Sequence, residues 1–245
     1  LAFKDMALTL LPHLLKTALQ KKGIQEEVVI LTATSGDTGK AALEGFRDVE
    51  DIQVVVFYPK IGVSDMQRLQ MVTQEGRNTH VVALEGNFDD AQNGVKKIFG
   101  DEAFRKKLKE KGYVLSSANS INIGRLIPQI VYYVYGYLRM VESGDLRMEE
   151  KMNIAVPTGN FGNILAAFYA KNMGLPVEKL LCASNDNNIL TEFFLHNTYD
   201  TRRNLFLTSS PSMDILISSN LERFLHEVSG KDEDLVKRHM DSLKA

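Results

Sequence analysis

Apolar runs alternate along the first half of the chain with segments in which apolar residues recur every three or four positions. The apolar runs predict strands at residues 27–31, 52–58, 80–84 and 113–115. Helices are predicted between them, opening at Lys40 and covering residues 64–72, 89–99 and 102–111. Strands that alternate with helices at this rhythm indicate an α/β fold with a doubly wound parallel sheet and helices on both faces.

Two longer helical segments flank this alternating region. Apolar residues such as Leu8 and Leu11 fit a helix with one buried face, which runs to about Lys22 and is ended by Gly23. The second segment covers residues 123–141. It is apolar nearly all round, which predicts a helix that is buried in the core.

The second half of the chain follows a polar linker at residues 143–152. Apolar runs predict strands at residues 179–183 and 204–207, with a helix at residues 189–195 between them. The tail at residues 231–245 is charged and amphipathic. Its acidic residues come first and its basic residues later, which suits the dipole of a helix.

The stretch at residues 153–163 reads N-I-A-V-P-T-G-N-F-G-N. A short apolar strand leads into a turn that contains Gly159 and Gly162, and an apolar helical run at residues 164–170 follows at once. Such a junction places unpaired N–H groups and the positive end of a helix at one point, which suits an anion. A plain connection between a strand and a helix is an equally open alternative.

Small polar turns follow several of the predicted strands. They lie at residues 34–39, 116–122, 157–163 and 184–188. Ligands of open parallel sheets gather at the carboxyl ends of the strands, so these turns are expected to converge on one polar ligand.

The turn at residues 35–40, S-G-D-T-G-K, resembles a phosphate-binding P-loop. That pattern needs Gly in place of Thr34 and Ser or Thr in place of Ala41, so we do not expect a nucleotide triphosphatase. The turn can still bind a carboxylate or a phosphate. Asp37 would repel an anion and should therefore face a phenol, an amine or solvent. The alternative is a helix cap formed by Asp37 or Thr38.

Arg125 and Lys4 are the remaining candidates for chemistry. The spacing Asn119-Ser120-x-Asn122-x-x-Arg125 suits a phosphate or carboxylate, because arginine can bind either with two hydrogen bonds. A capped helix with Arg125 on the surface is equally open. Lys4 has apolar neighbours, which would lower the pKa of its amine and make it a usable nucleophile. A surface lysine is the simpler alternative.

Composition excludes several classes of protein. The chain has 245 residues, 44% hydrophobic and 24% charged, with a net charge of −2, so nothing suggests binding to nucleic acid or to a membrane surface. The only cysteine, Cys182, excludes an internal disulfide. The longest apolar stretch, residues 126–138, is too short to span a membrane. We expect a soluble cytoplasmic protein, and the abrupt start at Leu1 suggests a piece of a longer chain.

The motifs L-A-F-K-D, A-T-S-G-D-T-G, S-A-N-S-I-N-I-G-R, V-P-T-G-N-F-G-N and S-S-P-S-M-D-I-L, in this order, resemble those of the threonine synthase family. That family belongs to the fold type II enzymes that depend on pyridoxal phosphate (PLP), which have the tryptophan synthase beta-like fold. The resemblance runs from Leu1 to about Phe224. It implies that residues 1–27 carry the Schiff-base lysine and belong to a large PLP-binding domain, of which residues 121–245 are another part. Residues 28–120 would form a small α/β domain.

The same resemblance implies roles for individual residues. Lys4 would form the Schiff base with PLP, and Asp37 would lie near the phenolic oxygen of the cofactor. The PLP phosphate would be held by Gly159, Asn160, Phe161, Gly162 and Asn163. The substrate would be bound at its α-carboxylate by Thr34, Ser35 and Thr38, and at its phosphate by Asn119, Ser120 and Arg125. No metal is implied.

The family reaction converts O-phospho-L-homoserine and water to L-threonine and phosphate by γ-elimination and β-addition of water, with the freed Lys4 as the base. The segment that serves the pyridine nitrogen is expected beyond Ala245, so we expect little or no activity from this chain alone. One alternative is another fold type II lyase that resembles serine or threonine dehydratases, but the phosphate-binding motif argues against it. A non-catalytic threonine-synthase-like protein that binds PLP or a phospho-ligand is the other, and the intact Lys4 disfavours it. The sequence gives no oligomeric state.

Overall fold

A computed structural model describes residues 3–34 and 36–243 of the chain. Internal contacts divide the chain into two compact units, Leu1–Pro128 and Gln129–Ala245. Within the described residues, every helix falls short of the length and apolar character that a membrane span requires.

The first unit contains α1 (Phe3–Lys22), β1 (Glu27–Ala33), α2 (Asp37–Phe46), β2 (Ile52–Pro59), α3 (Asp65–Val72), β3 (Thr79–Leu84), α4 (Phe88–Gly100), α5 (Glu102–Glu110) and β4 (Tyr113–Ser116). Helix α6 (Ile123–Glu142) begins in this unit and continues into the second. The second unit then contains β5 (Met152–Pro157), α7 (Gly162–Asn172), β6 (Val177–Ala183), α8 (Ile189–His196), a 3₁₀ turn (Pro211–Met213), α9 (Leu221–Val228) and α10 (Glu233–Ser242).

A four-stranded parallel sheet with the order β3-β2-β1-β4 forms the centre of the first unit. Successive residues of a strand point to opposite faces of its sheet. In β1, Val28 and Ile30 join the core that includes α1 and α2, whereas Leu31 and Ala33 join a second core that includes Ala91 of α4. Helices therefore cover both faces of the sheet, which confirms the doubly wound prediction.

Helix α1 packs closely on α2. A Cβ atom added to Gly45 of α2 would lie 2.4 Å from the backbone oxygen of Leu8, so the approach of the two backbones requires glycine at this position. Leu8 and Leu11 are buried, and α1 ends before Gly23, whose φ of +64° suits a helix end, as predicted. The assignment of residues 1–27 to a larger domain stays a prediction.

The second unit is built around the parallel pair β5-β6. Helix α7 follows β5 after a short turn and buries Leu165 and Ala167 completely. Aromatic side chains fill the space beside it, with the ring of Phe161 centred 5.3 Å from that of Phe224 and 6.2 Å from that of Phe194. The fold of this unit thus places Phe161 of the glycine-rich turn in contact with other aromatic rings.

Two sequence predictions in the second half are wrong. Residues 204–207 form no strand; instead, the side chain of Asn187 binds both the N–H and the carbonyl oxygen of Phe206, each at 2.9 Å. The long helix α6 is not buried all round, since Val131 and Tyr135 are 60% and 63% exposed. The described residues therefore cover only part of the apolar surface of α6.

Candidate functional site

The turn between β5 and α7 leaves several backbone donors without protein partners. Phe161 precedes α7 and has φ +64° and ψ 0°, a left-handed conformation that is uncommon outside glycine, and its side chain does not cap the helix. Within the described residues, no protein acceptor receives the backbone N–H groups of Gly159, Asn160, Phe161, Gly162 and Asn163. These N–H groups lie at the positive end of α7, where an anion is stabilised. We call residues 159–163 the cradle.

A neighbouring segment binds the carbonyl groups of the cradle. The hydroxyl of Ser218 donates to the oxygen of Gly159 at 2.5 Å. Asn220 donates both its backbone N–H and its side-chain Nδ2 to the oxygen of Asn160, each at 3.1 Å. Ser218 and Asn220 are buried. Because partially negative carbonyl oxygens repel an anion, binding them to the protein favours a cradle that offers its N–H groups instead.

Close packing also restricts the cradle residues. A Cβ atom on Gly159 would lie 3.0 Å from Cγ1 of Ile215 and 3.3 Å from Cα of Met213. At Gly162, it would lie 3.4 Å from Nδ2 of Asn220. Gly159 is therefore needed for the segment at residues 213–215 to pack against the cradle.

The side chain of Asn163 fixes the start of α7. Its Nδ2 donates to the carbonyl oxygen of Pro157 at 2.7 Å, and its Oδ1 accepts from the N–H of Ile164 at 2.9 Å. The hydroxyl of Tyr133 donates to the carbonyl oxygen of Asn163 at 2.8 Å, and burial raises the pKa of Tyr133 to about 12. Asn163 thus acts through its side chain as a structural residue, while its backbone N–H belongs to the cradle.

In the first unit, Lys4 is buried and carries a shifted pKa. Lys4 is 9% exposed, and its Nζ lies 3.7 Å from Oδ2 of Asp37. Burial, and next the positive charge of Arg125, lower the pKa of Lys4 from 10.5 to about 8, although Asp37 and Asp5 act in the opposite direction. The structure therefore contradicts the surface-lysine alternative. A substantial fraction of this amine is neutral near pH 8 and can act as a nucleophile.

The hydroxyl of Thr34 organises the turn before α2. The hydroxyl oxygen of Thr34 accepts from the N–H groups of Gly36 and Gly39, at 2.9 and 3.0 Å. Asp37 lies in the first turn of α2, and the residue before it, Gly36, makes no side-chain cap. Asp37 was expected to face a phenol, an amine or solvent, and its carboxylate lies beside the amine of Lys4. Ser35, a predicted substrate residue, lies outside the described residues.

Arg125 lies in the first turn of α6, and its buried guanidinium contacts the first turn of α2. Its Nη1 donates to the carbonyl oxygen of Ala118 at 2.8 Å, and its Nη2 donates to the hydroxyl of Thr38 at 3.5 Å. Only 5% of Arg125 is exposed, so the surface alternative for this residue is wrong. The first unit therefore brings together Lys4, Asp37, Thr38 and Arg125 from three separate segments.

Asn119 has a clear structural task. Its Nδ2 donates to the carbonyl oxygen of Ala33 at 2.9 Å, and its Oδ1 accepts from the N–H of Ala33 at 3.3 Å. The pairing of β1 with β4 ends where Ile30 lies opposite Ser116. The hydrogen bonds of Asn119 connect the two segments beyond this last pair. Ser120, the next residue, is half-buried. Roles for Asn119 and Ser120 in binding a substrate phosphate stay predictions.

The polar turn at residues 184–188 also binds protein groups. Asn185 and Asn187 donate from Nδ2 to Oδ1 of Asp214, at 2.7 and 3.1 Å. The hydroxyl and backbone N–H of Thr208 bind the same carboxylate, at 2.7 and 2.9 Å. This network fixes the segment that leads to Met213 and Ile215, and so it supports the packing against Gly159.

Sequence patterns did not reveal three residues that support these sites. Ser218 and Asn220 hold the cradle, and Gln67 donates from Nε2 to Oδ1 of Asp37 at 3.0 Å. Polar residues outside any recognisable motif look like ordinary surface positions. Burial identifies Ser218 and Asn220, and only tertiary packing brings them beside the cradle.

No protein-family model matches the chain. Over its full length it is 46% identical to threonine synthase-like 1 of Homo sapiens, of which it covers 33%, and 46% identical to the threonine synthase of Pseudomonas aeruginosa, of which it covers 50%. A solved structure, the PLP-bound threonine synthase of Brucella melitensis, matches all of this chain with a TM-score of 0.86 and 42% identity, and the match covers 50% of that chain. The chain thus spans between a third and a half of these relatives. The likeness confirms the predicted fold type II architecture.

Proposed function

We propose that this chain is part of a PLP-dependent lyase, because it belongs with the threonine synthases and threonine synthase-like proteins. The proposed reaction is that of threonine synthase, from O-phospho-L-homoserine and water to L-threonine and phosphate. The 46% identity to the Pseudomonas aeruginosa threonine synthase, over the whole of this chain and half of that protein, supports the family. The observation that carries the chemistry is the buried amine of Lys4, whose pKa is lowered to about 8 beside a carboxylate.

The residues present fit PLP in two respects. The cradle offers backbone N–H groups that bind no acceptor among the described residues, at a helix N-terminus, which suits the phosphate of the cofactor. Lys4 offers a partly neutral, buried amine, which suits its aldehyde. PLP, when bound, supplies an aldehyde for an amine and an electron sink for a carbanion next to nitrogen. We propose that Lys4 and the cradle hold this cofactor.

Lys4 would perform the proton transfers. An amine with a pKa near the working pH can both accept and return a proton, which the proposed reaction needs at Cα and Cβ of the substrate. Asp37 faces this amine and would stabilise it when it is protonated. The same amine would be the nucleophile toward the cofactor's aldehyde.

Arg125, with Asn119 and Ser120, would bind the phosphate that leaves from Cγ. A buried guanidinium is always charged and can bind phosphate with two parallel hydrogen bonds. The carbonyl oxygen of Ala118 fixes the orientation of Arg125, at 2.8 Å from Nη1. Thr38, with Thr34 and Ser35, would bind the substrate α-carboxylate through the turn before α2, although the hydroxyl of Thr34 also holds that turn together.

A second candidate function is a protein that binds PLP or a phosphorylated amino acid without making threonine. The equal identity to human threonine synthase-like 1 and to the bacterial threonine synthase keeps this candidate open. A dehydratase-like lyase acting on serine or threonine is the third. Buried Arg125 favours a phosphorylated substrate over these smaller ones, because a guanidinium can bind phosphate with two parallel hydrogen bonds.

The decisive experiment uses the longest protein that carries this chain, loaded with PLP. We expect release of phosphate together with formation of threonine from O-phospho-L-homoserine. Lys4→Ala should remove both this activity and the absorbance band of lysine-bound PLP. A PLP band without phosphate release would favour the binding protein, and deamination of serine or threonine would favour the dehydratase.

A further inference from the structure

Gln67 of α3 contacts the carboxylate that faces Lys4. Its Nε2 lies 3.0 Å from Oδ1 of Asp37, while the other oxygen of that carboxylate, Oδ2, lies 3.7 Å from Nζ of Lys4. One carboxylate is therefore shared between an amide donor and an amine, with a different oxygen for each. Such a division fixes the plane of the carboxylate as well as its position.

The amide of Gln67 is itself held from its other end. The hydroxyl of Ser64 donates to Oε1 of Gln67 at 3.1 Å, and the backbone N–H of Gln67 donates to the same hydroxyl oxygen at 3.3 Å. Because Oε1 is occupied as an acceptor, Nε2 is the end that points to Asp37. The N-cap of α3 thus orients a side chain that reaches α2.

Gly36 makes room for this amide. A Cβ atom at Gly36 would lie 2.3 Å from Cδ and 2.4 Å from Nε2 of Gln67, far closer than atoms can approach. Gly36 also has φ +154° and ψ −94°, a conformation open to glycine. Gly36, the first glycine of the S-G-D-T-G motif, therefore leaves space for the side chain of Gln67 on α3.

The charges around Lys4 determine how much the contact between Gln67 and Asp37 can affect its amine. Arg125 opposes the protonated amine of Lys4, while Asp5 and Asp37 favour it. Asp5 is also paired with Lys40, at 3.3 Å between Oδ1 and Nζ. A carboxylate stabilises a buried ammonium only while it stays close, because the interaction falls with distance. The orientation of Asp37 therefore affects how readily Lys4 releases its proton.

We propose that Gln67 is a positioning residue that holds the carboxylate of Asp37 toward the amine of Lys4. Gln67 touches neither substrate nor cofactor in this proposal and acts through Asp37. The proposal rests on the proposed function only in that Lys4 is the reactive amine of the site.

The test measures Lys4 directly and needs no cofactor. The chain is treated with hydroxylamine to remove any bound aldehyde, and the rate of acylation of Lys4 by a small acylating reagent is followed by mass spectrometry from pH 6 to pH 11. Variants are Gln67→Met, which keeps the length and loses the donor, and Asp37→Asn. Gln70→Met is the matched control, because Gln70 is an exposed glutamine on the same helix.

We expect the pH midpoint of Lys4 acylation to fall in Gln67→Met and in Asp37→Asn, and to stay unchanged in Gln70→Met. In the Asp37→Asn background, Gln67→Met should cause no further shift, because the two residues act through one contact. Ser64→Ala should give a smaller shift in the same direction, and it serves as the second variant if Gln67→Met folds poorly. An unchanged pH midpoint in folded Gln67→Met would overturn the proposal. So would a shift of the midpoint by Gln67→Met that is as large in the Asp37→Asn background as in the wild type. If the chain fails to bind PLP, only the proposed function is lost.

Discussion

Asn220 donates two hydrogen bonds, from its backbone N–H and from its side-chain Nδ2, to the single carbonyl oxygen of Asn160. Asn220 is fully buried, and its Oδ1 accepts from Nη1 of Arg223 at 2.6 Å. Two donors on one oxygen restrict the rotation of the Asn160 carbonyl group. The conformation of the cradle is therefore set by residues that lie far from it in the sequence.

Asn220→Ala should weaken the cradle. It removes one of the two donors to the carbonyl oxygen of Asn160 and the oxygen that accepts from Arg223, and each lost hydrogen bond costs about 0.5–1.5 kcal/mol of unfolding free energy. We expect the dissociation constant for PLP to rise about tenfold, equivalent to about 1.4 kcal/mol. Denaturant unfolding and PLP titration measure the two effects separately. Asn172→Ala, an exposed asparagine near the end of α7, is the control and should change neither. Lost stability with unchanged affinity would show that Asn220 does not shape the cradle.

Gly159→Ala should disturb the cradle by crowding. The new methyl group would meet Ile215 at 3.0 Å and the backbone of Met213 at 3.3 Å, and such overpacking costs about 1–3 kcal/mol. Gly136→Ala is the matched control, because a Cβ there meets nothing within 4 Å inside α6 and should stabilise the helix by about 1 kcal/mol. Thermal unfolding of both variants measures the contrast. Equal effects of the two substitutions would contradict the packing described here.

The pKa of Lys4 should respond in opposite directions to its two charged neighbours. Asp37 raises the pKa of Lys4 and Arg125 lowers it, so Asp37→Asn should move it below about 8 and Arg125→Gln should move it above about 8. The pH dependence of acylation of Lys4, read by mass spectrometry, measures both shifts. Asp65→Asn, at an exposed carboxylate on α3, should leave the midpoint in place. Shifts of the same sign in the Asp37 and Arg125 variants would contradict the electrostatic assignment.

Thr34→Val should destabilise the turn before α2. The substitution keeps the shape of the side chain but removes the hydroxyl oxygen that accepts from Gly36 and Gly39, which acts as a helix cap. Loss of a cap costs about 0.5–2 kcal/mol. Thr34→Ser keeps the acceptor and should retain most of the stability in denaturant unfolding. A valine variant as stable as the wild type would mean that the turn is held by other contacts.

Much of the fold could be read from the sequence. The strands of the first unit, the end of α1 at Gly23 and the strand-turn-helix junction at residues 153–163 follow from apolar periodicity and glycine placement, which are local properties. The strand expected at residues 204–207 fails because Asn187, a side chain, supplies the pairing that a neighbouring strand would give. The apolar pattern of residues 204–207 alone cannot distinguish pairing with a strand from hydrogen bonds to a side chain.

The sequence by itself determined which residues are candidates for chemistry: the lysine at position 4, the acid at position 37 and the glycine turn before α7. Only the tertiary structure decided their physical state. Burial beside Arg125 and Asp37 sets the pKa of Lys4, and hydrogen bonds from Asn220 set the direction of the carbonyl of Asn160. Both effects depend on residues brought close in space by packing. A motif records which residue types are present, whereas desolvation, charge proximity and hydrogen-bond direction arise only when distant segments meet.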